Sequence, residues 1–196
     1  RERVERKQHI TKEFDNKEEF ELNWVEASAH PIGAVGLWNS MIKIIKMAKE
    51  KGDDIIVICE DDHYFTENYS PKLLFKEVTE AYIQGAEVLS GGIGGFGQAI
   101  PAGYHRYKVD WFWCTQFIVI YNRFFDKMLD YSFQNTDTAD GVISKLATNI
   151  MVIYPFISEQ KDFGYSDVTQ SNMEQQGKIR EHFARANKHM KSISLK

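Results

Sequence analysis

Residues 55–59 form an unbroken apolar run, Ile55-Ile56-Val57-Ile58-Cys59, and three acids, Glu60-Asp61-Asp62, follow it without a spacer. A strand with one wet face alternates polar and apolar side chains. This run does not, so both of its faces should be covered, as in a central parallel strand flanked by helices. The sequence around it supplies the helices. Leu37, Met41, Ile44, Ile45 and Ala48 recur at helical spacing, Lys43, Lys46 and Lys49 fall on the other side, and Gly52 closes the segment. Ser70-Pro71 offers an N-cap and a first-turn proline to a second helix carrying Leu73, Leu74, Val78, Ala81 and Tyr82, which Gly85 ends. Strands are predicted at 86–90, from about 109 to 121 and at 150–154, with a short helix after Asn122 and a capped helix near 138–147. Alternating strands and helices imply an α/β single domain: an open, mostly parallel sheet with helices on both faces. Ahead of this core, residues 1–21 read as a surface helix and a turn, and 20–26 as a short strand. Open α/β sheets ordinarily start with a strand, so one is expected upstream of residue 1.

A chain of 196 residues with 43% hydrophobic residues can close one core, and 1–196 is taken as one domain. Cys59 and Cys114 each lie inside an apolar run, and a reducing, cytoplasmic setting is the simpler expectation. No apolar stretch approaches the roughly 18 residues that span a bilayer. A net charge of -4 leaves no basic footprint for nucleic acid. Residues 170–196 are different: Lys178, Arg180, Arg185, Lys188, Lys191 and Lys196 stand against Glu174 and Glu181. This basic C-terminal helix or tail is either a solvated face or a peripheral contact with the inner face of the membrane, at about 1 kcal/mol per basic residue.

The acids carry the chemistry. If the strand stays extended, Glu60 and Asp62 project to one side and Asp61 to the other. Two carboxylates at about 5 Å, with an effective dielectric near 20, repel by roughly 3 kcal/mol, and a divalent cation reverses that cost. Oxygen-only ligands suit Mg2+ or Mn2+, which keep waters and take further oxygens from substrate phosphates. Open α/β sheets place ligands at the carboxyl ends of their strands, where this cluster falls. His63, next in sequence, is expected to be a surface histidine rather than a ligand. The glycines of residues 91–97 lack both the P-loop and the dinucleotide-binding spacing, leaving a mobile lid or an ordinary loop. Trp111 and Trp113 share one face of the long strand, and core packing is expected for them ahead of stacking on a sugar ring.

The ordered combination of Gly33-Ala34-Val35-Gly36-Leu37-Trp38-Asn39-Ser40, the helix that follows and the apolar strand ending in Glu60-Asp61-Asp62 resembles the lipopolysaccharide-type glycosyltransferases of family 25, which have a GT-A fold. Arg3 and Arg6 are similar to the arginines after that family's first strand, and Tyr165-Ser166-Asp167-Val168 to its late Ser-Asp segment. Ser40-Met41 stands where the family often has Ser-His. The resemblance implies transfer of a sugar from a nucleotide-diphosphate donor to a hydroxyl of a surface glycan or lipid-linked glycan. It implies Asp62 and Glu60 on the metal, and Glu60, Asp61, Gln160 and Asp167 around the donor. For the base that accepts the hydroxyl proton, Asp140 and Asp137 are the candidates. Asp137 or Thr138 is also placed to cap the helix, which favours Asp140. Two other functions use the same fold: a sugar nucleotidyltransferase, and a non-catalytic glycan-binding module.

Overall fold

The computed structural model describes residues 4–164 and 177–194. A six-stranded sheet runs in the order β1 (Ile55–Cys59), β6 (Phe117–Tyr121), β3 (Val88–Ser90), β7 (Ile150–Ile153), β5 (Arg106–Val109) and β4 (Ala99–Pro101). A two-stranded ribbon pairs β2 (His63–Phe65) with β8 (Ser158–Gln160). On one face, α2 (Gly33–Lys51), α4 (Asn122–Leu129), α5 (Ala139–Leu146) and α6 (Lys178–Ser194) bury Trp38, Met41, Ile45, Phe124, Met128, Ile143 and Phe183. On the other, α3 (Pro71–Ile83) buries Leu74 and Ala81 against Leu89, Val119, Tyr121 and Ile153. The α/β single-domain class and helices on both faces are as the sequence indicates.

Strand direction departs from that expectation. Among the described residues only β3 and β7 pair in parallel, whereas β1·β6, β3·β6, β5·β7 and β4·β5 are antiparallel. The helix-connected strands β1, β3 and β7 do all point the same way, so the alternation correctly finds them. Between β1 and β3, however, β6 is inserted antiparallel. An apolar run reports that both faces are covered and carries no information about the direction of its neighbours.

The expected long strand at 109–121 is broken in two. Asp110 Oδ1 accepts from the backbone N–H groups of Gly97, Gln98 and Trp111 at 3.1, 2.9 and 2.9 Å, which turns the chain after β5. Cys114 then adopts φ +77°, a left-handed conformation that a side chain with a Cβ rarely takes. In consequence Phe112 is in the core, while Trp113 is 48% exposed and lies outside it. Residues 20–26 form no strand either. Phe20 is anchored among Phe14, Phe65 and Tyr69, but Leu22 and Trp24 beyond it are exposed and have no ladder to join.

The helix ends follow their local chemistry. Ser70 Oγ accepts from Leu73 N–H at 3.2 Å with Pro71 in the first turn, and Gly52, in the left-handed region, closes α2. The glycine loop is packed rather than lid-like. A Cβ on Gly92 would stand 1.9 Å from the Ser158 carbonyl oxygen, and one on Gly95 would stand 2.6 Å from the Trp113 ring. On α6, Phe183, Ala186 and Met190 face the core, while Arg180, Arg185, Lys188 and Lys191 are exposed. No helix among the described residues is long and apolar enough to cross a membrane.

Candidate active site

The acids lie at the carboxyl end of β1, but not on an extended strand. His63 N–H donates to the Glu60 carbonyl at 3.2 Å, so residues 60–63 make a turn into β2. Asp61 therefore does not simply face away. Arg6, in the first turn of α1 (Val4–Glu13), places one guanidinium nitrogen 2.8 Å from Asp61 Oδ1 and 3.2 Å from Asp62 Oδ2. Gln160, on β8, donates to Asp62 Oδ2 at 2.8 Å, and Lys161 N–H donates to the Asp62 carbonyl at 2.7 Å. Asp62 is buried, and its Oδ1 has no hydrogen-bond partner among the described residues. Glu60 accepts from the Thr115 hydroxyl at 2.5 Å.

This crowding is electrostatically costly. Burial, then the neighbouring Asp62 charge, pushes the Glu60 carboxyl up to about 8, against the opposing Thr115 hydrogen bond. Burial also raises Asp62, although Gln160 and Arg6 pull it back. Asp140 belongs to the same neighbourhood, since its charge is among those that raise Glu60 and Cys114. It sits in the first turn of α5, with Oδ1 accepting from Gly141 N–H at 2.8 Å and Oδ2 from Cys114 N–H at 3.2 Å. The strained backbone at Cys114 thus aims an N–H at Asp140 and turns Trp113 outward one residue earlier.

Asp137 is employed elsewhere. Its Oδ2 accepts from Gln134 N–H at 2.8 Å and from the Tyr131 hydroxyl at 3.1 Å, while the cap of α5 is Thr138, which accepts from Gly141 N–H at 3.2 Å. The structure thus brings Glu60, Asp61, Asp62, Gln160 and Asp140 into one region. Asp167 and the 165–168 segment lie outside the described residues, as does Arg3.

Two contributors escaped the sequence reading made from residue types alone. Arg6 falls on the buried stripe of α1 at a spacing of four from Ile10, itself four from Phe14, so an arginine on an apolar face was the available signal. Thr115 offered none.

His63 corrects an expectation: it is 0% exposed. Its Nδ1 lies 2.8 Å from Ser158 Oγ, its ring lies among Phe14, Phe65 and Phe117, and burial lowers it to about 3. Unfolding restores an ordinary histidine near 6.5, so between those values the unfolded chain binds the extra proton. Stability from this group is full above pH 6.5. It should fall by up to about 1.4 kcal/mol per pH unit as pH drops toward 3. Urea titrations over that window, compared with His63→Gln, should show the wild-type slope steeper. Equal slopes would refute the assignment.

Among the described residues, no group of three or more His, Cys, Asp and Glu side chains is arranged to hold a metal ion by itself. The donor set nevertheless fits a hard cation that completes its shell from elsewhere: buried carboxylate oxygens, one of them without a partner among the described residues.

No protein-family model matches the sequence, and no curated protein matches it. Solved structures that share similarity include apo UDP-glucose pyrophosphorylase, with a TM-score of 0.44 and 10% identity over 79% of this chain and 61% of that one. UDP-glucose pyrophosphorylase complexed with UDP-glucose gives 0.43 and 9%, over 78% and 62%. The chain spans less than two thirds of the length of either protein.

Proposed function

We propose that the protein is a divalent-metal-dependent transferase of nucleotide-sugar diphosphates, and that it delivers the sugar to a hydroxyl of a glycan or lipid-linked glycan, as the resemblance to family 25 glycosyltransferases implies. The observation that supports it most is the buried Asp62 carboxylate, with Oδ1 unpartnered beside a Glu60 pushed up to about 8. Asp62 and Glu60 would hold Mn2+ or Mg2+, and the bound cation supplies neutralisation of the departing diphosphate. Gln160 and Arg6 fix the Asp62 carboxylate, and Arg6 adds positive charge on the donor side. Asp140, oriented by two backbone N–H groups, takes the proton of the attacking hydroxyl as the bond from the sugar's anomeric carbon to the phosphate oxygen breaks. The exposed Trp113 face offers the acceptor sugar an apolar surface one residue from Cys114.

A second function is favoured by one feature of the same site. Arg6 sets a guanidinium among the acids, a group suited to binding the phosphate oxygens of an attacking pyrophosphate. That reaction breaks the phosphoanhydride and yields a nucleoside triphosphate and a sugar 1-phosphate. Glycosyl transfer releases a nucleoside diphosphate. Phosphorus NMR of a nucleotide-sugar panel with manganese, with and without pyrophosphate, separates them: diphosphate formed without pyrophosphate is expected, and triphosphate formed only with it would replace the first function by the second. On the first, Asp140→Asn should lower turnover by about 100-fold or more while donor and manganese affinity hold. A loss confined to Asp137→Asn would transfer the role of base.

A further inference from the structure

The glycine loop at 91–97 and the tryptophans at 111 and 113 meet at the surface. Gly95 and Trp113 are bridged: Trp113 N–H donates to the Gly95 carbonyl at 3.0 Å, and Gly94 N–H to the Trp113 carbonyl at 2.9 Å. The Trp113 ring lies over the same backbone, since a Cβ on Gly95 would stand 2.6 Å from its Cε3 and 3.1 Å from its Cδ2. Trp111 is seated alike, and a Cβ on Gly97 would stand 2.7 Å from its Nε1. Bare backbone thus forms a bed for both indoles. Their centroids are 5.2 Å apart with 47° between the planes, and the His182 ring of α6 stands nearly perpendicular to Trp113 at 5.6 Å.

The segment that carries the indoles is irregular but firmly held. Its backbone N–H groups from 111 to 114 donate in turn to Asp110 Oδ1, Ser144 Oγ, the Gly95 carbonyl and Asp140 Oδ2, at 2.9, 3.2, 3.0 and 3.2 Å. Phe112 serves the core, whereas Trp111 is half-buried and Trp113 exposed.

We propose that Trp111, Trp113 and His182 form a carbohydrate platform that takes a glycan of at least two sugar units and directs its terminal hydroxyl toward Asp140. A pyranose ring has an apolar C–H face and a rim of hydroxyls, so two adjoining indoles suit two successive C–H faces. Burial and the charges of Arg185 and Lys178 lower His182, which leaves its imidazole neutral near pH 7, with one donor and one acceptor for sugar hydroxyls. Because the rings are already fixed, binding costs little ordering. The platform stands on its own geometry, but naming its glycan the acceptor rests on the proposed function, through Asp140 bound one residue from Trp113.

Binding of the 196-residue chain to an array of surface glycans and their constituent monosaccharides, without metal or nucleotide sugar, tests the platform. At least one glycan of two or more units should be retained, with its terminal monosaccharide bound at least about 10-fold more weakly. Trp111→Ala and Trp113→Ala, with unchanged circular dichroism, should each weaken binding by about 10-fold or more, and Trp113→Phe should recover most of that loss. Retention of no glycan, equal affinity for one unit and two, or affinity that survives both alanine variants would overturn the proposal. So would loss of uridine or adenosine diphosphate binding in place of glycan binding, because the indoles would then hold the donor's base. Glycan bound through the tryptophans without transfer from any nucleotide sugar would remove the proposed function and keep the platform. Transfer with an acceptor KM indifferent to both alanine variants would do the reverse.

Discussion

Asp62→Asn should abolish manganese-dependent binding of the nucleotide sugar, with affinity falling by at least about 100-fold, while the chain still folds. Removing a group that merely orients a metal ligand already costs 10–100-fold, and a ligand itself should cost no less. Asparagine keeps the shape of the side chain and one oxygen for Gln160 and Arg6, which hold Oδ2 at 2.8 and 3.2 Å. Arg6 also retains Asp61, so it is not left as a bare buried charge. What is lost is the anionic Oδ1, now without a partner, which a cation would use. Calorimetry with and without manganese, alongside circular dichroism, decides the matter. Undiminished metal-dependent binding in a folded variant would remove the central premise of the proposed function.

The largest expected effect on stability lies away from the site. Arg106 on β5 and Glu77 on α3 are both 0% exposed and joined by a salt bridge, with Glu80 Oε2 3.3 Å from the other guanidinium nitrogen. Glu77→Ala removes one partner and leaves a buried guanidinium whose remaining charged partner among the described residues is the part-exposed Glu80, which should cost about 3 kcal/mol or more. For a chain of this size that lowers the thermal midpoint by roughly 10 °C. Replacing both members together, Glu77→Leu with Arg106→Met, should restore most of the loss, because paired apolar groups carry no desolvation penalty. If the double variant is as unstable as the single one, the pair acts through packing rather than charge.

The helices were legible in the sequence because their signals are local: the Ser70-Pro71 start, Thr138 ahead of α5, and Gly52 at the end of α2. The acids at the end of an apolar strand were legible for the same reason. What failed depends on partners distant in the chain. The strand at 109–121 was lost to Asp110 gathering backbone N–H groups from residues 97 and 98, and the surface placing of His63 to Ser158, 95 residues away. Neither contact leaves a periodic trace. Asp140 beside the acids was expected only as a candidate, since nothing in residues 136–141 specifies that Cys114 N–H will bind it.

The position of β6 also constrains how the chain can assemble. β1 and β3 run the same way and are joined through α3, yet they lie two strand spacings apart, about 10 Å, with Phe117–Tyr121 filling the gap. On the ribosome, the apolar faces and unpaired backbone of both strands therefore wait through some 25 further residues after β3 before the filler emerges. Among the described residues ahead of β6, β1 and β3 have no strand to pair with. Truncated products that end before β6 should be sticky species handled by chaperones, and folding gains its cooperativity when that single strand docks.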